Sequence, residues 1–103
     1  MRIIEIKNIK IANNLPLTLI AGPCQVESLD HSMMMAKNIK EIADRLKIGF
    51  IYKSSFDKAN RSSIEGKRGL GLENTLPIFE KIKKEFDCPI LTDVHNEEQC
   101  KLL

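Results

Sequence analysis

Three short apolar runs recur along the chain: LTLIAG at 17–22, GFIYKSS at 49–55 and CPILTDVH at 88–95. A strand with one wet face alternates polar and apolar residues, so an unbroken apolar run marks a strand covered on both faces. The stretches between the runs carry helical spacing. In the first, Ser28 is placed to cap a helix with Asp30 in its opening turn, and Met35, Ile39, Ile42 and Leu46 follow at helical intervals. The neighbouring methionines Met33 to Met35 read as packing against a sheet. In the second, Leu72, Leu76, Phe79, Ile82 and Phe86 mark the apolar stripe, and the lysines of KIKKE its solvated side. Pro77 is tolerated only near a helix start, where backbone N–H groups lack partners anyway, so this helix is expected to begin near Asn74. NEEQCKLL reads as the opening of a third helix. Ahead of the first run, RIIEIKNIKIANN alternates on both sides of Lys7-Asn8, the pattern of a β-hairpin with Ile3 and Ile9 among its apolar members. Hairpin, then β-α-β-α-β-α, implies a parallel sheet of the α/β class.

A chain of 103 residues has room for one domain at most. Hydrophobic residues at 43% and charged residues at 29% are ordinary globular usage, which excludes a disordered chain. A net charge of +2 gives no reason to expect a nucleic-acid partner. No apolar run approaches the ~18 residues of a membrane span and no signal-peptide pattern opens the chain, so the expectation is a cytoplasmic protein. Cys24, Cys88 and Cys100 form no CxxC pair, against a zinc finger or a disulfide framework.

Each strand ends in polar residues: Gly-Pro-Cys-Gln, Lys-Ser-Ser and Thr-Asp-Val-His. Parallel α/β folds build their sites at the C-terminal ends of strands, so three polar ends in succession point to one shared site. The second end runs on into KSSFDKANRSS (53–63), where Lys53, Lys58 and Arg61 lie within nine residues and Lys67 and Arg68 follow. Lysine as a point charge and arginine as a planar fork suit phosphate oxygens, while Asn60 and the serines suit sugar hydroxyls. Gly66, Gly69 and Gly71 permit tight bending around a ligand. Cys24, Asp93 and His95 are the residue types of a divalent transition-metal site, and equally of Cys–His nucleophilic catalysis; composition does not choose between them. His31 reads as a surface residue of the first helix.

The segments AGPCQVES, YKSSFDKANRSS, RGLGLE and PILTDVH, in that order, resemble the 3-deoxy-D-manno-octulosonate 8-phosphate synthase family from about residue 17 onward. The related synthase of the shikimate pathway shares the Gly-Pro-Cys strand end but carries Lys-Pro-Arg in place of Lys53-Ser54-Ser55, and is the weaker match. The resemblance implies condensation of phosphoenolpyruvate with arabinose 5-phosphate, releasing phosphate, in the lipopolysaccharide pathway of Gram-negative bacteria. It implies that Lys53 contacts phosphoenolpyruvate, that Lys58, Asn60, Arg61 and Ser62 hold the sugar phosphate, and that Asp93 lies near the sugar and the metal. Lys53, Lys58 and Asp93 are thus the expected catalytic residues. Cysteine at Cys24, where metal-independent members carry asparagine, implies the metal-dependent type. There the thiolate binds a divalent ion of the zinc, iron or manganese kind, together with a histidine, a glutamate and an aspartate from later strands. Cys88 and Cys100 are left as core or bystanders. The family assembles as a homotetramer, with the arginine often reaching a neighbouring subunit's site.

The fold implied is a (β/α)8 barrel, typically about 250 residues. Residues 1–16 would form its hairpin and link, and 17–103 its first three βα units within a single domain. Glu65-Gly66-Lys67 departs from the family's usual His-Ser-aromatic. Three units leave parallel edges open, so the isolated chain is expected to self-associate, and it is expected to lack synthase activity because Cys24 alone cannot hold a catalytic metal. The alternative to part of a longer synthase is a remnant, or a half-barrel that needs a partner chain.

Overall fold

The computed structural model describes residues 2–56 and 71–103. Lys58, Asn60, Arg61 and Ser62, with Gly66 and Gly69, lie outside the described residues.

The hairpin forms as its alternation requires. Strand β1 (Ile4–Ile6) pairs antiparallel with β2 (Ile9–Ile11), Ile6 opposite Ile9. Lys7 makes the reversal with a positive φ of 52°. Beyond it, β3 (Thr18–Ala21), β4 (Gly49–Lys53) and β5 (Ile90–Leu91) form a parallel sheet in the order β3-β4-β5. Helix α1 (Leu29–Leu46) joins β3 to β4, α2 (Leu72–Phe86) lies between β4 and β5, and α3 (Glu97–Leu102) follows. This is the mixed α/β arrangement with a hairpin and a parallel sheet that the apolar runs imply. The hairpin meets the sheet at the start of β4: a Cβ on Gly49 would stand 3.0 Å from a methyl of Ile9. It therefore sits at the end of the sheet opposite the polar strand ends.

The core lies between the sheet and the two longer helices. Phe50 and Tyr52 of β4 pack there with Ala36 and Ala43 of α1, Ile78, Phe79 and Ile82 of α2, and Cys88. Burying a large apolar side chain of this kind contributes about 1.5–3 kcal/mol. The Cys88 thiol, 2% exposed, is pushed up in pKa by burial and behaves as a small core hydrophobe. Cys100 is exposed.

Helix α1 is capped as expected, the Ser28 hydroxyl accepting from the His31 N–H at 3.0 Å, and it ends on Lys47 at φ 58°. Its buried face corrects the expected stripe. Ser32, Ala36 and Ala43 are fully buried with Ile39 packed beside them, while Ile42 is 47% and Leu46 62% exposed. Small side chains let the helix lie close to the sheet, and the larger apolar ones flank that contact. Of the three methionines, Met33 packs on the core and Met34 is 47% exposed.

Helix α2 begins at Leu72, two residues before the expected start. Gly71, at φ 81°, turns the chain into it, a conformation open to glycine. Pro77 consequently falls in the second turn and leaves the Glu73 carbonyl without its usual helical donor. Strand β5 is shorter than the apolar run 88–95 because side chains take over its pairing beyond Leu91, as the strand ends show.

Candidate functional site

The C-terminal ends of the three strands are joined by side chains as well as by backbone bonds such as Ser55 N–H to the Cys24 carbonyl at 3.1 Å. The Ser54 hydroxyl donates to the Pro23 carbonyl at 2.7 Å, tying β4 to the end of β3. The Thr92 hydroxyl donates to the Ser54 carbonyl at 2.7 Å, tying the end of β5 to β4. One residue further, the Ser55 hydroxyl donates to Asp93 Oδ1. Because Lys53 pairs with Leu91 in parallel register, Lys53, Ser55, Leu91 and Asp93 share the sheet face that the helices do not cover.

Asp93 is the best-anchored ionisable group there. Partial burial pushes its carboxyl up, but the Ser55 hydroxyl, its own backbone N–H, His95 and the Lys53 ammonium outweigh that and hold it below the usual carboxylate range. His95 Nε2 stands 3.5 Å from Asp93 Oδ2, and the Phe56 ring, 1% exposed, lies 6.0 Å from the imidazole centroid. Helix α3 fixes the backbone of this histidine: Gln99 Oε1 accepts from the His95 N–H at 2.7 Å, and the Asn96 cap accepts from the Gln99 N–H at 2.9 Å. An ionised carboxylate, an imidazole and a lysine thus face one space, a set suited to orienting hydroxyl and anionic groups.

Cys24 is exposed at the end of β3. Its position depends on an irregularity. Ala21 pairs with Tyr52, and Gln25 forms the next bridge with Ser55, so Gly22, Pro23 and Cys24 oppose only Lys53 and Ser54. That extra residue is a β-bulge, which re-aims the side chains that follow it. Gly22 is required in it, since a Cβ there would collide with the Lys53 carbonyl oxygen. Among the described residues no three His, Cys, Asp or Glu side chains converge to hold a metal ion. Cys24 is therefore one available sulfur donor and, among the described residues, not part of a complete site.

Of the expected residues, the structure brings Lys53 and Asp93 to one sheet face and puts Cys24 at the neighbouring strand end. Ser55, which anchors Asp93, was legible as part of a polar strand end but not as a partner. The signal was there: Lys53 and Ser55 are two apart, as are Leu91 and Asp93, and parallel register superposes the two pairs.

The DAHP synthetase I family model matches residues 1–103, the full length of the chain. The chain belongs to the DAHP synthetase I family. Within reach of that family are proteins named 2-dehydro-3-deoxyphosphooctonate aldolase, another name for the activity the motifs resemble. The chain is 59% identical to that of Bartonella tribocorum over 100 residues and 58% identical to that of Rickettsia felis over 99. It is 58% identical to that of Bartonella henselae over 101 residues. These matches cover 97%, 96% and 98% of the chain but 36% of each relative, so the chain spans about a third of the length of the relatives it matches. Among the described residues no helix is long and apolar enough to cross a membrane.

Proposed function

We propose that the chain supplies part of the active site of a 3-deoxy-D-manno-octulosonate 8-phosphate synthase, a cytoplasmic transferase of lipopolysaccharide biosynthesis that condenses phosphoenolpyruvate with arabinose 5-phosphate. One observation carries this reading: Lys53, Ser55 and Asp93 converge on the open sheet face of a chain about 59% identical to relatives bearing that activity's name. On this reading the three parallel strands are the first of a (β/α)8 barrel, residues 1–103 belong to a single barrel domain, and the working protein is a homotetramer.

The roles follow from chemistry. The Lys53 ammonium binds an anionic group of phosphoenolpyruvate as a point charge. The methylene carbon of phosphoenolpyruvate attacks the sugar aldehyde, and the carbonyl oxygen becomes a hydroxyl on taking up a proton. Water adds to the carbon bearing the phosphate, and phosphate leaves as that C–O bond breaks. Asp93, ionised at neutral pH, accepts hydrogen bonds from the sugar and orients it, with His95 placed to hold a proton beside it. Lys58, Asn60, Arg61 and Ser62 hold the sugar phosphate. Cys24 is one ligand of a divalent ion whose other ligands come from outside the described residues. When bound, that ion would polarise an oxygen of the sugar or of water.

The test is a chimaera in which this chain replaces the matching third of the Bartonella tribocorum relative. Phosphate release that needs both phosphoenolpyruvate and arabinose 5-phosphate is the expected result. A folded chimaera that releases none under any divalent metal contradicts the reading.

A further inference from the structure

The β3 bulge turns a second side chain toward the site. Without the extra residue, Gln25 would stand opposite Phe56. With it, Gln25 pairs with Ser55, and paired residues of a parallel ladder point to the same face. Ser55 is the residue whose hydroxyl reaches Asp93. Gln25 therefore lies on the face of Lys53, Ser55 and Asp93, directly after Cys24.

The residue is 8% exposed, and its carboxamide oxygen, shielded from solvent, has no hydrogen-bond donor among the described residues. A buried acceptor left unmatched is costly, and such groups in native proteins are paired with protein, water or ligand. Among the described residues no donor reaches this one, and an amide oxygen can accept from O–H groups through two lone pairs. The adjoining residues, a thiol, a lysine and a carboxylate, are the polar groups of the proposed site.

We propose that Gln25 is a positioning residue whose carboxamide oxygen accepts a hydrogen bond from an O–H group held beside Cys24. The donor is a sugar-phosphate hydroxyl or an ordered water. This rests on the synthase reading for its kinetic consequences, but the bond itself does not.

Two measurements on the Bartonella tribocorum chimaera test it. Gln25→Met keeps the shape and removes the acceptor, while Gln25→Glu keeps an acceptor oxygen. If the donor is on the sugar, Gln25→Met raises KM for arabinose 5-phosphate roughly three- to tenfold, the worth of one neutral hydrogen bond, with KM for phosphoenolpyruvate unchanged. Gln25→Glu then moves KM back toward the parent. If the donor is water, Gln25→Met lowers kcat by a similar factor and leaves both KM values alone. Unchanged kinetics, or a fall in Tm with both KM values raised together, overturns the proposal in favour of a purely structural glutamine. A crystal structure of the parent chimaera is the second measurement. An ordered water or sugar hydroxyl at hydrogen-bond distance from the carboxamide oxygen supports the proposal, and a protein donor there, or no oxygen at all, overturns it. Should the parent chimaera be inactive, the synthase reading fails while the crystal structure still decides Gln25.

Discussion

The two faces of the three-stranded sheet are built from the same strands and treated in opposite ways. On the helix side, Phe50, Tyr52 and Ser54 are 3%, 0% and 1% exposed, closed over by α1 and α2. On the other side Ile51 is shielded, but Ile20 is 52% exposed, Leu91 41%, and Lys53 is open to solvent. The closed face is held by apolar packing, which is tolerant of chemistry but not of volume. The strand ends beyond it are held by single hydroxyls: Ser54 to Pro23 and Thr92 to Ser54, and, on the open face, Ser55 to Asp93. One face supplies stability, and the other carries the polar groups of the proposed site. The strand ends link them, because Ser54 is buried on the helix side while its neighbours Lys53 and Ser55 point to the site.

The contrast can be broken at its joint. Gly22→Val puts side-chain atoms where the Lys53 carbonyl oxygen stands, so the β3–β4 junction must separate. Loss of the folded protein, read by near-UV circular dichroism, is the expected result. On the closed face, Ile82→Ala removes a fully buried side chain and should cost about 2–5 kcal/mol in denaturant unfolding. Removing the α1 cap with Ser28→Ala should cost about 1 kcal/mol by the same measurement. Leu46→Ala, on the same helix but 62% exposed, should fall within about 0.5 kcal/mol. An Ile82 variant no worse than the Leu46 variant would mean that the core is not where the packing puts it.

The smallest effect sharpens the other face. The Asp93 pKa is depressed, so Asp93 contributes stability that is present above the unfolded carboxylate value of about 3.9 and lost as pH falls through its lower folded value. Its side chain is 41% exposed, which keeps that contribution small. Ser55→Ala should move the Asp93 titration upward, read by carboxyl chemical shifts, with little change in stability at neutral pH. A downward or absent shift would show that the Ser55 hydroxyl does not hold the carboxylate.

Most of the architecture was legible in the sequence, because hydropathy and period are local properties. The hairpin about Lys7-Asn8, the three parallel strands and the Ser28 cap required nothing else. Two features of the fold were not legible. The buried stripe of α1 is made of Ser32, Ala36 and Ala43, and a search for large apolar residues passes over small ones that owe their burial to close approach. The start of α2 turned on Gly71, whose positive φ is a backbone property that composition does not report. At the site, the polar strand ends were legible as such, and the face that Lys53, Ser55 and Asp93 share followed from register once pairing was known. The bulge was not, because Gly-Pro at a strand end also reads as a simple stop. Without the bulge, Gln25 has no reason to face the site.

The most direct test sets the two ends of the sheet against each other in the Bartonella tribocorum chimaera. Lys53 belongs to the open face at the strand ends, and Lys10 is an exposed lysine of the hairpin at the opposite end. Each is replaced by methionine, and phosphate release from phosphoenolpyruvate and arabinose 5-phosphate is measured at saturating metal. Lys53→Met should lower kcat/KM by about 10²–10³, the usual loss on removing a charge that stabilises the transition state, and Lys10→Met should leave it unchanged. Equal effects of the two substitutions, or none from Lys53→Met, would contradict the placement of the active site at these strand ends.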